Sequence, residues 1–386
     1  MAHLRFTTNL EINDSKVKKF PFIITNKLKV DLLTLEYLLD LRASVSHKTL
    51  LTYAQHLTDF ISQLETCNDG LSYDDPAYTE WYEIDDNWLE EYSNELISRY
   101  ESDSDNTKGY AGQVLRTVIA YLKWTQSKGY TSNLVGTGEE NRLVLNPSES
   151  KKGGTVHPLA KKLSKVKPQA RTAPRMRWIE IVKSHTHIKS RELSTRYELM
   201  VDWGVGVGLR AHEVCALTVS QLPTRKSAED AYINKENVYI SIVISKGSKP
   251  NTLPVSPMLV KKTWDFVDRE RQAILSRVKS KAKKSRVPFV DSGILFPSER
   301  TGKEMVSNTF SNQVRRAFLN AVEAGDLAED QIVWAHGLRH RYATNQLKGA
   351  DERGIKNPER ITKHLTRHKH EQTLETYTVA RFHEDG

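Results

Sequence analysis

Two segments in the second half of this 386-residue chain hold an arginine at or near the start of a predicted helix. Arg210 lies in Gly-Val-Gly-Leu-Arg-Ala-His-Glu-Val (206–214), and its two glycines predict a tight approach to a helix start. Arg339 lies in His-Gly-Leu-Arg-His (336–340), three residues after His336 and so on the same face of a predicted helix. At such a helix start Arg210 could meet an anion.

Two further segments hold a lysine and a histidine–tyrosine pair with side chains that can do chemistry. In Ile-Ser-Lys-Gly-Ser-Lys (244–249), Lys246 ends a predicted strand at a glycine turn, where its ammonium could reach into a cleft. His368 is followed nine residues later by Tyr377, the only tyrosine after Tyr342. Since the pKa of a phenol is about 10, a tyrosine becomes a useful nucleophile only when a base or nearby cations favour phenolate.

Taken singly, each of these features has a commoner explanation. A lone arginine in a glycine-rich turn is more often a surface or capping group, and a lone C-terminal tyrosine usually packs. Their order is more specific. Arg-x-x-Glu, Lys-Gly, His-x-Leu-Arg-His and a histidine with a tyrosine nine residues later resemble the tyrosine recombinase (phage integrase) family between Arg210 and Tyr377.

The resemblance implies a site-specific recombinase that cleaves DNA through a covalent 3′-phosphotyrosine intermediate and exchanges strands via a Holliday junction, as in integration or excision of a mobile element. It implies that Tyr377 is the nucleophile, that Lys246 protonates the departing 5′ oxygen, and that the two arginines stabilise the transition state. The expected catalytic residues are Arg210, Lys246, His336, Arg339, His368 and Tyr377. Glu213, which would hold Arg210 or its helix, and His340 are expected supporting residues.

The sequence departs from the family pattern in two places. Thr366-Arg367-His368 stands where Leu-Gly-His is usual. Because an arginine replaces the small glycine, the family pattern does not determine the backbone conformation here. Only nine residues follow Tyr377, fewer than the family's usual tail that docks into a neighbouring subunit. Docking of this tail in cis or in trans therefore stays open.

Charge is distributed unevenly behind a formal net charge of +9. Residues 65–105 contain fourteen Asp/Glu and a single basic residue, Arg99, and a solvated face is their first interpretation. The rest of the chain is strongly basic. Residues 151–179 contain nine Lys/Arg and no Asp/Glu, and residues 277–286 contain six Lys/Arg and no Asp/Glu. This distribution suits a polyanion, and it predicts phosphate contacts from Lys161, Lys162, Lys165, Lys167, Arg171 and Lys249.

Hydrophobic periodicity predicts a mostly α fold with a small antiparallel β-sheet in the C-terminal domain, an α+β architecture. The predicted organisation is a short β-like extension (1–29), a helical core DNA-binding domain (30–135), a basic linker (136–177) and a catalytic domain (178–386). In the helical domain Ser46 can cap a helix, and apolar stripes run from Trp88 to Tyr100 and from Val114 to Leu122, the second ending at Gly129. In the catalytic domain we expect strands at Val238–Ile244 and Ile294–Phe296, and a helix from His336 that stops at Gly349.

Other functions are less well supported. A metal nuclease could use His364, His368 and His370, but Lys363, Arg367 and Lys369 would repel a cation, so no metal or cofactor is expected. A type IB topoisomerase-like enzyme and a non-catalytic DNA-binding accessory protein remain alternatives. The two cysteines are far apart, and no apolar segment has the length of a membrane span or a signal peptide, so we expect a cytoplasmic protein on the nucleoid. The expected partners are double-stranded DNA with a specific recombination site, further copies forming a tetramer on DNA, and accessory DNA-bending proteins.

Overall fold

The computed structural model describes residues 1–12, 15–17, 19–99, 107–148, 154–164, 172–242 and 251–366. The chain divides into two compact units, Met1–Ala170 and Arg171–Gly386, each with its own hydrophobic core. Among the described residues, no helix combines the length and the apolarity that crossing a membrane demands.

The first unit is mainly helical, with several very short strands. Its helices are α1 (Leu32–Leu41), α2 (His47–Cys67), α3 (Asp86–Ser98), α4 (Thr107–Ser127) and α5 (Pro158–Ser164). Its strands are β1 (His3–Phe6), β2 (Leu10–Ile12), β3 (Ser15–Val17), β4 (Pro21–Ile24), β5 (Val135–Gly136), β6 (Leu143–Val144), β7 (Asn146–Pro147) and β8 (Thr155–Val156). The pairs β1–β4, β2–β3 and β7–β8 are antiparallel, and β5–β6 is parallel.

Helix α2 begins where its capping residue predicts. The Ser46 hydroxyl accepts a hydrogen bond from the Thr49 amide at 3.2 Å, which satisfies an amide that the helix leaves open, and the predicted start of α2 is confirmed. The apolar stripe of α2 is buried, at Leu50, Ala54, Leu57, Phe60, Ile61 and Leu64. After α4, Gly129 adopts a left-handed φ of 81°, so the predicted helix end is confirmed to within two residues.

Segments predicted as an extension and as a linker contain parts of this core. The β-like extension predicted over 1–29 contains four short strands, β1 to β4. Phe20 and Ile23 have no accessible surface. Within 136–177, α5 packs against α4 and buries Ala160 and Leu163 in the same core. The domain boundaries stay predictions.

The second unit is built from nine helices and one antiparallel hairpin among its described residues. Its helices are α6 (Met176–Ser184), α7 (Arg191–Val207), α8 (Ala211–Cys215), α9 (Arg225–Ile233), α10 (Pro257–Phe266), α11 (Gln272–Lys284), α12 (Ser307–Glu323), α13 (Ala335–Glu352) and α14 (Pro358–Thr366). A 3₁₀ turn covers Val219–Gln221, and a π turn, Val267–Arg271, joins α10 to α11. The hairpin consists of β9 (Val238–Ile242) and β10 (Asn251–Val255).

The hairpin confirms the predicted antiparallel sheet and the α+β class. Ile242 pairs with Asn251 and Val238 with Val255, while alternate residues of β9 are buried. The last two residues of the predicted strand, 243 and 244, lie outside the described residues. The strand predicted at Ile294–Phe296 was wrong, because only an isolated bridge between Ile294 and Thr218 forms there.

Helices α7 and α13 pack together at the centre of the second unit. Gly204 on α7 lets Leu338 approach, since a Cβ built on Gly204 would lie 3.0 Å from Leu338 Cδ1. The predicted end of α13 at Gly349 was wrong: the helix continues to Glu352, and the left-handed residue is Gly354, with φ 64°. A glycine inside a helix weakens it without ending it when packing holds both flanks.

Candidate active site

A left-handed turn after α7 sets the position of Arg210. Gly208 follows the last residue of α7 with φ 68° and ψ 32°, a conformation that favours glycine. A Cβ at Gly208 would lie 2.3 Å from Tyr342 Cδ1 on α13, so any larger side chain would collide. The turn therefore needs glycine for two reasons, and it delivers Arg210 to the position directly before α8.

Glu213 holds Arg210 through both its backbone and its side chain. The Arg210 amide donates to Glu213 Oε2 at 2.8 Å, and Arg210 Nη1 donates to Oε1 at 3.0 Å. The Glu213 side chain has no accessible surface, whereas 23% of the Arg210 side chain is accessible. The buried carboxylate thus fixes the arginine and leaves part of the guanidinium open to a ligand.

Arg339 reaches the same turn from α13. Its side chain is fully buried, and Nη1 donates to the carbonyl oxygen of Gly208 at 2.7 Å. This carbonyl lies two residues before Arg210 in the chain. The turn therefore brings together two arginines that are separated by more than a hundred residues.

Two histidines line the first turns of α13. The His336 and His340 rings lie 4.9 Å apart between centroids at 73°, and His340 contacts the Trp334 ring at 5.4 Å. Desolvation, together with the positive charges of Arg339 and Arg210, lowers the pKa of His336, although the Glu213 carboxylate opposes the shift. A neutral imidazole is thereby favoured near pH 7, and it can accept a proton.

The structure brings together the predicted catalytic and supporting residues that it describes: Arg210, Glu213, His336, Arg339 and His340. Two of the expected phosphate contacts, Lys161 and Lys162, lie on α5 in the first unit. The remaining predicted site residues fall outside the described residues: Lys165, Lys167, Arg171, Lys246, Lys249, His368 and Tyr377.

Three contributors to this site were not predicted. The Gly208 carbonyl holds Arg339, Tyr342 packs against Gly208, and the Trp334 ring contacts His340. The glycine turn beside Arg210 was visible in the sequence, but its use of a backbone oxygen was not. Nothing in the sequence signals the ring contact of Trp334.

The described site is rich in cations. No group of three or more His, Cys, Asp or Glu side chains in the described part of the chain is arranged to hold a metal ion. The hypothetical nuclease site of His364, His368 and His370 lies outside the described side chains, although the backbone of His364 belongs to α14. An anion such as phosphate is the ligand that the two arginines favour.

Comparisons with solved structures give the fold. A lambda integrase (75–356) dimer bound to a COC′ core site matches with a TM-score of 0.51 and 13% identity, over 91% of this chain and 94% of the other. XerH site-specific recombinase bound to its difH substrate matches with a TM-score of 0.50 and 17% identity, over 86% of this chain and 76% of the other. The Tn1549 transposon integrase in complex with circular intermediate DNA matches with a TM-score of 0.50 and 15% identity, over 90% of this chain and 94% of the other. No curated protein matched in sequence.

The comparison with family sequence models is more specific. Residues 175–384, more than half of the chain, match the phage integrase family. The matched range contains the arginine turn, the hairpin, α13 and the C-terminal tyrosine. The chain therefore belongs to the phage integrase family and is a tyrosine recombinase, a DNA strand transferase that acts in site-specific recombination.

Proposed function

We propose that Tyr377 is the nucleophile of this recombinase. Its phenolate oxygen attacks the phosphorus of a DNA phosphodiester, the bond to the 5′ oxygen breaks, and a 3′-phosphotyrosine and a free 5′-hydroxyl remain. A 5′-hydroxyl from the second duplex then attacks the phosphotyrosine and releases the tyrosine, so the strands rejoin without ATP. The observation that carries this proposal is the anchoring of Arg210 and Arg339 at one turn beside His336.

The two arginines are proposed to stabilise the transition state. Negative charge builds on the phosphoryl oxygens during attack, and fixed cations aimed at those oxygens lower the barrier. Arg210 offers accessible guanidinium surface, and Glu213 holds it in one orientation. Arg339 has no accessible surface, so we infer that DNA binding moves the atoms that cover it.

Proton transfer is assigned to the basic and histidine residues. His336 has a lowered pKa, which supports a neutral base that helps accept the tyrosine proton. Lys246 is proposed to protonate the departing 5′ oxygen, and His368 to hydrogen-bond the phosphate. Lys249 is the alternative general acid. Replacing the bridging 5′ oxygen with sulfur distinguishes Lys246 from Lys249, because sulfur is a better leaving group and needs no acid. Only a variant that lacks the true acid should therefore regain activity on the sulfur substrate.

Double-stranded DNA is the proposed partner. The lambda, XerH and Tn1549 proteins named above were solved bound to DNA. Exposed Lys162 and its partly buried neighbour Lys161 support phosphate contacts at the start of the basic tract, and Lys165, Lys167 and Arg171 are proposed to continue them. Association with the nucleoid would follow.

A groove between α2 and α4 is proposed to receive a base edge. Its volume is about 540 Å³, and its lining contains no acid: Lys48, Thr49, Thr52, Tyr53, His56, Gln113, Arg116, Thr117 and Ala120. Gln113 and Arg116 are exposed and one helical turn apart on α4. Their amide and guanidinium groups are the types that discriminate adenine and guanine in the major groove. This groove would therefore contribute to recognition of the site.

Assembly follows from the chemistry. Two duplexes contain four strands, and each exchanged strand needs its own tyrosine, so we propose four protomers on DNA. Accessory proteins that bend DNA are proposed to assist them. A DNA-bound species that stays at two protomers throughout strand exchange, measured by light scattering, would contradict this assembly.

A suicide DNA substrate followed by denaturing electrophoresis tests the proposal. The parent protein should become covalently attached to DNA in EDTA, because the arginines and Lys246 are proposed to supply the positive charge. Tyr377→Phe should bind the substrate and form no covalent product, since only the phenol oxygen is lost. Tyr239→Phe, which alters an exposed tyrosine on β9, is the matched control and should remain active.

Each alternative predicts a different result in this assay. Covalent product from Tyr377→Phe would refute the assignment of the nucleophile. Cleavage that disappears in EDTA and returns with zinc or magnesium would indicate a metal nuclease. Relaxation of supercoils at any sequence would indicate a topoisomerase, and binding without attachment would indicate an accessory protein.

A further inference from the structure

Helix α11 ends in an exposed run of cations without an acid. Its buried side consists of Ile274, Leu275 and Val278. The last two turns of the helix and the residues just past it carry five exposed cations, which we name the α11 basic surface: Lys279, Lys281, Lys283, Lys284 and Arg286. Solvated helix faces usually mix charges of both signs, because like charges one turn apart repel.

Arg277, one turn earlier, has a different role. Its Nη2 donates to Glu192 Oε1 at 2.5 Å and its Nη1 donates to Ser190 Oγ at 3.2 Å, so it fastens α11 to the start of α7. No acid among the described residues forms an ion pair with the five cations of the α11 basic surface. The dipole of α11 favours cations in its last turn, but it does not account for Lys279 or for Arg286 beyond the helix end.

The backbone at Arg286 is a second, independent observation. This residue adopts φ 53°, the left-handed region that favours glycine after a helix. The turn is closed by a hydrogen bond from the Val287 amide to the Ala282 carbonyl at 3.0 Å. A glycine would relax the backbone, and the chain instead carries one more positive charge there.

The α11 basic surface lies away from the active site. Arg277 holds α11 at the first residues of α7, whereas Gly208 and Arg210 follow its last residue. Helix α7 has 17 residues, which at 1.5 Å per residue span about 25 Å. The two groups of cations are therefore anchored at opposite ends of one helix, and they cannot bind the same phosphate.

We propose that the α11 basic surface binds the phosphodiester backbone of duplex DNA at a distance from the cleaved bond. The inference rests on the proposed function, which already places this polyanion against the protein. Each phosphate neutralised by a lysine releases a counterion, so such contacts add affinity without reading sequence. The ligand is DNA backbone, either farther along the cleaved duplex or on the second duplex of the recombination complex.

Two variants with equal net charge test this inference. The first is Lys279→Gln/Lys281→Gln/Lys283→Gln/Lys284→Gln. The second removes four exposed lysines scattered elsewhere on the same unit, Lys226→Gln/Lys235→Gln/Lys262→Gln/Lys303→Gln. Glutamine favours helix nearly as well as lysine, so both should fold. Affinity is measured at several salt concentrations on duplexes that carry the cleavage site with flanks of increasing length.

The first variant should bind long duplexes roughly 10-fold or more weakly than the control, and its slope of log affinity against log salt should be smaller by about 2 to 4. Covalent attachment at saturating DNA should not change. If the loss appears as flanks lengthen, the ligand is the cleaved duplex. If it appears only when a second, unlinked duplex is added, the ligand is that duplex.

Equal affinities and salt slopes for the two variants on every DNA would overturn the inference while attachment by the parent protein still upheld the proposed function. Loss of self-association without loss of DNA affinity would also overturn it, and would point to the acidic residues 65–105 of another copy as the partner. Failure of the parent protein itself to attach to DNA would count against the proposed function instead.

Discussion

The cations at the two ends of α7 differ in how they are held. Arg210 is bound by a buried carboxylate and Arg339 by a backbone carbonyl. The lysines of the α11 basic surface are exposed and have no ion-pair partner among the described residues. Holding a cation fixes its direction, which a transition state requires, whereas loose cations on a surface can follow a phosphate backbone. The comparison predicts that geometry matters at one end and total charge at the other.

The largest effect is expected from exchanging arginine and lysine at both ends. Arg339→Lys keeps the charge and loses the paired donors, so single-turnover cleavage should fall by about 10²- to 10³-fold. Lys281→Arg, the matched change on α11, should leave cleavage and DNA affinity nearly unchanged. Measuring both rates with saturating suicide substrate checks the contrast, and equal losses in the two variants would remove the distinction between held and loose cations.

A smaller effect, on stability, is expected when the turn that both arginines contact is altered. Gly208→Ala combines a left-handed φ with a collision against Tyr342 and should lower the free energy of unfolding by about 2 to 4 kcal/mol. Gly325→Ala shares a positive φ of 79° but meets nothing within 4 Å, so it isolates the backbone part. Denaturant unfolding measures the free energy of unfolding of both variants. Equal values would show that the Tyr342 side chain moves away from the added Cβ without a cost in stability.

Removing the charge that holds Arg210 should have a moderate effect. Glu213→Gln retains an acceptor for the Arg210 amide and loses the ion pair, so cleavage should fall by about 10-fold through misorientation of the guanidinium. Glu192→Gln breaks the corresponding pair with Arg277 on α11 and is the control. Saturating-substrate rates should fall for the first variant alone. A normal rate in Glu213→Gln would show that Arg210 needs no carboxylate.

The smallest expected effect is on the titration of His336. The pKa of His336 is about 6.5 in the unfolded chain and lower in the folded protein. Between these two pKa values the unfolded chain binds more protons than the folded protein, so the free energy of unfolding rises with pH. This contribution is lost as pH falls below the unfolded pKa. Arg210→Gln removes one of the positive charges and should raise the His336 pKa, although desolvation will still keep it low. NMR titration measures the shift, with His336→Gln to identify the His336 signal among the thirteen histidines, and an unchanged pKa would show that the Arg210 charge does not influence His336.

What the sequence could predict was local. Ser46 and the stripe after it predicted α2 because a cap and its periodicity lie within one segment. Gly349 was misleading for the same reason: its neighbours determine that α13 continues, and they come from distant parts of the chain. The order of the motifs predicted that Arg210 and Arg339 would meet. The bond from Arg339 to the Gly208 carbonyl could not be predicted, because a backbone oxygen has no signature in the sequence.

The π turn Val267–Arg271 has a consequence for how this unit tolerates length changes. A π turn contains about one residue more than an α turn, so it absorbs a single-residue insertion inside a continuous helix. Each residue of an α-helix turns the chain by about 100°, since 3.6 residues make one turn. Deleting one residue from Val267–Arg271 would therefore convert the π turn into an α turn and leave α11 in phase with α10, so that its lysines still face solvent. A one-residue deletion there should be far less damaging than the same deletion inside α11, which would rotate the rest of that helix by about 100°.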